Sequence, residues 1–176
     1  MYLFTILAIT VFVYAGFKPD QIKAAYIYNL PNFVHWPKLN REAKKKAFVI
    51  NVLGNHLIAH YLKILTKGED IKGLPIKVNL IESASKVSEC DILFVDKSFE
   101  AQLDIKQLQN LAQKGTLTVG ESVNFLSKGG MIGLVPEGKR IVIVINTLVA
   151  DQVKITFSSK LMRVARIFKD NSLVEK

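Results

Sequence analysis

The run Ala47–Gly54, AFVINVLG, constrains this chain more than any other stretch. It is nearly continuous in apolar residues, with one amide, Asn51, in its middle. A strand with one wet face alternates apolar and polar side chains; a run without alternation fits a strand covered on both faces. Gly54-Asn55 turns the chain, and HLIAHYLKIL, His56 to Leu65, follows with helical spacing. A strand buried on both sides and followed at once by a helix points to a sheet sandwiched between helices.

The rest of the chain repeats that grammar. Pro75 to Ile81, Asp91 to Val95 and Thr116 to Val119 read as further strands. Phe99 to Lys114 carries Leu103, Leu108 and Leu111 at helical intervals, and Gly115 ends it. Met131–Val135 and Arg140–Ile145 flank Pro136-Glu137-Gly138-Lys139 as a hairpin. A last amphipathic helix is expected over Ser158 to Lys169. Its apolar face would be Leu161, Val164, Ala165 and Phe168, opposite Lys160, Arg163, Arg166 and Lys169. The expected fold class is α/β: a single-domain mixed β-sheet flanked by helices on both faces, resembling one half of a periplasmic binding protein. No linker or repeat divides the chain, and 176 residues suffice for one sizeable core.

Residues 1–17 are apolar and carry no charged side chain. The expectation is a signal peptide over residues 1–16, cut after Ala15 or Gly16, with the domain occupying 17–176; an uncleaved anchor is the alternative. The run is shorter than the roughly 20 residues that a spanning helix needs. Export argues against nucleic acid as the partner behind the net charge of +9. The densest basic run, Arg41 to Lys46, reads as a solvated loop before the first strand. The lone Cys90 has no second cysteine with which to close an intramolecular disulfide, so it reads as a small buried residue rather than a redox centre.

Chemistry is sparse. His56 and His60 share a helix face, yet they lack the glutamate of the zinc-protease motif. Gly120-Glu121-Ser122-Val123-Asn124 lacks the closing glycine of a nucleophile elbow. Gly129, Gly130 and Gly133 are followed by no Lys-Ser or Lys-Thr, which favours a tight turn over a phosphate loop. Asn146 ends an aliphatic strand, where its amide can tie down neighbouring backbone. Ser158 suits a helix N-cap. The reading is of a protein without catalytic, cofactor or metal residues.

One segment stands apart: Ile22 to Pro37, IKAAYIYNLPNFVHWP. Pro19 and Asp20 suit a helix start, and Ile22, Ala25, Tyr26, Leu30 and Phe33 recur at helical spacing as the expected core face. Pro31 should end or kink the helix near Leu30.

This segment resembles the opening of the YfiR family, in which Lys-Ala-Ala runs into Tyr-Asn, an aromatic and Trp-Pro. Here these are Lys23, Ala24, Ala25, Tyr28, Asn29, Phe33, Trp36 and Pro37. CDILFVD from Cys90, TLTVGES from Thr116, NFLSKGGMIGLV from Asn124 and INTLVADQVKITFSSKLMRVARI from Ile145 are similar to later family segments in the same order. The resemblance implies a non-enzymatic periplasmic repressor. It would bind the periplasmic sensor domain of an inner-membrane diguanylate cyclase and lower cyclic-di-GMP and biofilm output. A sensor histidine kinase is the other partner it implies, and a homodimer the assembly. Family members linked to redox control carry cysteine pairs, which this chain lacks. An alternative reading is a periplasmic small-molecule binding module acting with such a kinase. Tyr28, Phe33 and Trp36 are the residues expected to shape the domain and border an interaction surface.

Overall fold

The computed structural model describes residues 18–37, 46–169 and 172–174. The expected leader and most of the Arg41–Lys46 run lie outside the described residues. Helix α1 spans Pro19–Asn29, and a single 3-10 turn over Leu30–Asn32 follows it. Pro31 sits inside that turn, where it has no amide hydrogen to continue the α-helical ladder. Strand β1 (Val34–His35) comes next, then β2 (Phe48–Leu53), helix α2 (His56–Leu65), β3 (Asp70–Ile71), β4 (Leu74–Ile81) and β5 (Ile92–Val95). Helix α3 (Ile105–Gln113), β6 (Leu117–Gly120), α4 (Val123–Ser127), β7 (Ile132–Glu137) and β8 (Arg140–Ile145) continue the chain. It closes with α5 (Thr147–Gln152), β9 (Thr156–Phe157), α6 (Ser159–Val164), β10 (Arg166–Lys169) and β11 (Ser172–Val174).

Nine of the described strands form one mixed sheet in the order β11-β10-β8-β7-β6-β5-β2-β4-β3. The centre, from β4 through β2, β5 and β6 to β7, is parallel. The β7–β8 hairpin and the two outer strands supply the antiparallel pairs. β1 pairs separately with β9, Val34 opposite Phe157. One core holds Ile50, Val52, Ile92 and Phe94 together with residues of α1, α2, α5 and α6. The other holds Leu53, Leu93 and Val95 with residues of α3 and α4. The sheet is thus covered on both faces, as the unbroken apolar run at Ala47–Gly54 requires.

Two expected helices differ from the structure. The stretch Phe99 to Lys114 divides into a 3-10 turn at Glu100–Gln102 and α3, because Asp104 caps α3 by accepting the amide of Gln107 at 2.7 Å. The closing helix from Ser158 to Lys169 is only six residues long. After Ala165 the chain turns extended and β10 joins the sheet beside β8, with Arg166 opposite Val144. The expected apolar face therefore breaks up: Leu161, Ala165 and Phe168 are buried, whereas Val164 is 70% exposed. The open edge of β8 recruits this segment, so tertiary pairing overrides its helical pattern.

Candidate functional site

Helix α1 carries two faces of opposite character. Ala24, Ile27 and Leu30 point into the core, and Lys23 is buried with them. On the outward side Ile22, Ala25 and Tyr26 face Tyr61, Ile64 and Leu65 of α2 across an open groove of about 490 Å³, with Gln21 and Asn29 among its lining residues. The expected core face of Ile22, Ala25, Tyr26, Leu30 and Phe33 is thereby corrected. Leu30 alone among these is fully inside, and the others are half-buried. The helix is rotated so that the small Ala24 meets the sheet and Lys23 reaches a charged partner. Ile64 at 58% and Leu57 at 52% exposure continue the apolar surface along α2.

That charged partner lies at the carboxyl ends of the parallel strands. Lys23 Nζ donates to Glu121 Oε1 at 2.6 Å, just past β6, with both side chains 8% exposed. Asp20 stands 3.8 Å from the same ammonium. Glu100 Oε1 accepts the Glu121 amide at 2.6 Å, and Glu100 Oε2 accepts the hydroxyl of Ser122. Ser122 Oγ in turn accepts the amide of Phe125 at 3.1 Å, capping α4. Past β5, Asp96 accepts from the Ser98 hydroxyl at 2.6 Å and from Asn55 Nδ2 at 2.9 Å. Asn55 Oδ1 caps α2 through the Ile58 amide. Gly54 closes β2 with a φ of +86°, and a Cβ there would fall 2.2 Å from the Phe99 ring.

The electrostatics follow the geometry. Burial lifts the Glu121 carboxyl above its ordinary range, and the hydrogen bond and charge of Lys23 only partly offset this. Burial also acts on Asp96, but the bonds from Ser98 and Asn55 and the charge of Lys23 outweigh it, so this carboxyl lies below its ordinary range. The helices after β2 and β5 leave on opposite faces of the sheet. This makes the gap between the two strand ends the topological switch point, the place where open α/β sheets bind ligands. Here Lys23, delivered by α1, reaches into that region.

These elements, from α1 to the start of β10, coincide with a family pattern: a YfiR/HmsC-like family model matches residues 20–166. The chain belongs to the YfiR/HmsC-like family. At family level this is a non-catalytic group of periplasmic regulators of diguanylate cyclases. Among curated proteins, none matches the chain. Among solved structures it is similar to an ABC domain from Streptococcus pneumonia in complex with L-Trp, at 13% identity and a TM-score of 0.51, over 85% of this chain and 60% of that one. A conserved domain protein from Vibrio cholerae is similar at 15% identity and a TM-score of 0.51, over 86% of this chain and 60% of its own. The chain thus spans about 60% of the length of each, and the likeness is one of fold.

The YfiR-like opening does not gather into one site. Tyr28 reaches Glu69 with its hydroxyl at 3.4 Å, and Asn29 Nδ2 caps the Ala25 carbonyl at 2.8 Å. Half-buried Phe33 accepts the Ser158 amide at its carbonyl, 2.8 Å away, beside the β1–β9 pair. Trp36 meets Phe48 edge-on with ring centroids 5.8 Å apart, and its buried Nε1 has no hydrogen-bond partner. Pro37 follows, half-buried. Gly129 has a φ of +100°, as a tight turn needs, whereas Gly130 is required by close approach: a Cβ would fall 2.2 Å from Phe125. Gly129 and Asn146 share a shallow pocket of about 390 Å³. There Asn146 caps α5 through the Val149 amide and donates to the Leu126 carbonyl at 3.1 Å, a structural role as its position implies. Ser158 caps α6 through the Leu161 amide. Cys90 is buried on the opposite face of the sheet, its thiol donating to the Ile92 carbonyl.

His56 and His60 are exposed on α2, and no group of three His, Cys, Asp or Glu suited to a metal occurs among the described residues. Sequence reasoning missed the charged cluster. Its one signal was Lys23 followed by two alanines, Ala24 and Ala25.

Proposed function

We propose that this protein is exported by its apolar leader and acts in the periplasm as a non-enzymatic repressor of an inner-membrane diguanylate cyclase. It binds the sensor domain in the inactive conformation and so lowers cyclic-di-GMP and biofilm output. The observation that carries this reading is the family match over residues 20–166, which takes in α1, the groove and the charged cluster. The absence of a transmembrane-length apolar helix among the described residues is compatible with it. Repression needs only a difference in affinity for the two sensor states; a factor of ten corresponds to about 1.4 kcal/mol of coupling. The test is capture of membrane proteins on the tagged protein together with cyclic-di-GMP measurement in a deletion strain. Recovery of a cyclase and a rise in cyclic-di-GMP are expected; recovery of no cyclase or sensor kinase with unchanged cyclic-di-GMP would sink the proposal.

A second reading is a periplasmic small-molecule sensor working with a sensor kinase. What favours it is the fold shared with a domain solved with L-Trp, and the position of the polar cluster at the switch point. It predicts a rise in melting temperature with a metabolite, L-Trp included. No shift across a broad metabolite set would remove it.

A further inference from the structure

We infer that the shallow pocket beside Asn146 is a binding site for a neutral saccharide unit. The pocket lies at the other end of the sheet from the charged cluster, so the inference rests on neither reading above. Gly129 leads into β7 and Asn146 follows β8, whereas Asp96 and Glu121 stand past the far ends of β5 and β6. Its volume of about 390 Å³ takes a small ligand. Three observations choose the chemistry. First, none of the lining residues carries a charge, so an ionic ligand would lose hydration without meeting a countercharge. Second, the walls offer uncommitted hydrogen-bonding groups of both kinds. Asn146 is only 4% exposed. Its Oδ1 accepts the Val149 amide at 3.3 Å, and one Nδ2 hydrogen goes to the Leu126 carbonyl at 3.1 Å. The other hydrogen has no partner among the described residues, and a buried donor left unpaired is costly until something accepts it. The exposed Gln152 side chain is bonded to no described residue and presents both a carbonyl and an amino group. Ser127 donates its hydroxyl to the Asn124 carbonyl at 2.8 Å, which leaves its oxygen free to accept. Third, Leu148 lines the pocket and stays 55% exposed, an apolar surface beside the amides. A sugar matches all three. Its hydroxyls each donate and accept, as side-chain amides do, and its C–H face suits a leucine. A zwitterionic amino acid fails the first condition and an alkyl chain the second.

The test titrates the full-length, isotope-labelled protein with methyl glucoside and N-acetylglucosamine, and with glucuronate as a charged relative of the same ring. The neutral sugars should shift the Asn146 side-chain amide and the Gly129 backbone signal and saturate in the millimolar range. Glucuronate should bind at least about tenfold more weakly. L-Trp should leave these signals unmoved, whatever it does at the far end of the sheet. Gln152→Ala and Leu148→Ser should each weaken sugar binding about tenfold at an unchanged melting temperature, whereas Gln109→Ala on α3 should leave it intact. Three results would overturn the inference: no saturation by either neutral sugar at tens of millimolar, glucuronate binding as tightly as they do, or sugar binding that both pocket substitutions leave intact. Should a variant fold poorly, the signals that move in the unsubstituted protein decide, and shifts confined to residues away from the pocket overturn the inference equally.

Discussion

The two sides of helix α1 each carry a residue that a surface helix would place on the other. Its inner side buries a lysine, and its outer side presents isoleucine and tyrosine to an open groove. The inner side sets Ala24 and Ile27 into the core and carries Lys23 to Glu121, just past β6. The outer side is apolar and half-buried, with Ile22 and Tyr26 packed against the core and also lining the groove beside α2. The difference separates the anchor of the helix from its open side. Lys23 and Glu121 tie α1 to the end of β6, and Ile22, Tyr26 and Ile64 line the groove.

The largest effect should come from breaking the inner side. Lys23→Met leaves Glu121 buried without its cation and is expected to cost about 3–5 kcal/mol in urea unfolding. Adding Glu121→Leu should restore most of that loss, since an apolar pair can replace a buried ion pair. If Lys23→Met is neutral, the inner side is not what holds α1.

Trp36, packed on Phe48 at the start of β2, is intermediate in expected effect. Trp36→Ala should cost about 2 kcal/mol, below the roughly 3–5 kcal/mol of a fully buried aromatic because Trp36 is only half-buried. Trp36→Phe should be nearly neutral, because it removes an indole N–H that has no partner. A folded Trp36→Ala protein that loses partner capture would move this residue from scaffold to interface.

Titration offers a finer test. The Glu121 carboxyl binds its proton more tightly in the folded state than its reference value of 4.5, so this group's stabilising contribution is full below that pH and is lost as pH rises through the raised value. Asp96 works in the other direction. Its contribution is present above 3.8 and is lost as pH falls through its lowered value. Glu121→Gln should flatten the decline of urea stability just above pH 4.5 and leave the acid limb of Asp96 in place. An unaltered profile would show that Glu121 does not titrate in this window.

The smallest stability effect belongs to the outer side. Ile64→Glu should shift unfolding by no more than about 0.5 kcal/mol, as exposed substitutions do. A large destabilisation would mean that the groove is part of the core after all.

Much of the fold was legible in the chain. Ala47–Gly54, Asp91–Val95 and the hairpin around Gly138 are bounded by turn residues and rich in β-branched side chains, and each forms the expected strand. Pro31 ends α1 as its missing amide hydrogen requires. The segment Ser158 to Lys169 misled because its helical spacing is real, but a vacant edge beside β8 outcompetes it. The candidate site was less legible. The residues flagged in Ile22–Pro37 are spread over three places: Tyr28 at Glu69, Phe33 at the β1–β9 pair and Trp36 against Phe48.

Sequence alone determined the α/β alternation, the sheet covered on both faces and the family, because backbone pairing and burial imprint local patterns of turns and apolar runs. The tertiary structure decided which way α1 is turned. A helix with apolar residues nearly all around it has no unique inward face, so its rotation was settled by the one lysine able to reach a carboxylate 98 positions away in the chain. Long-range charge pairing leaves no period in a sequence, and with it came the groove that faces outward.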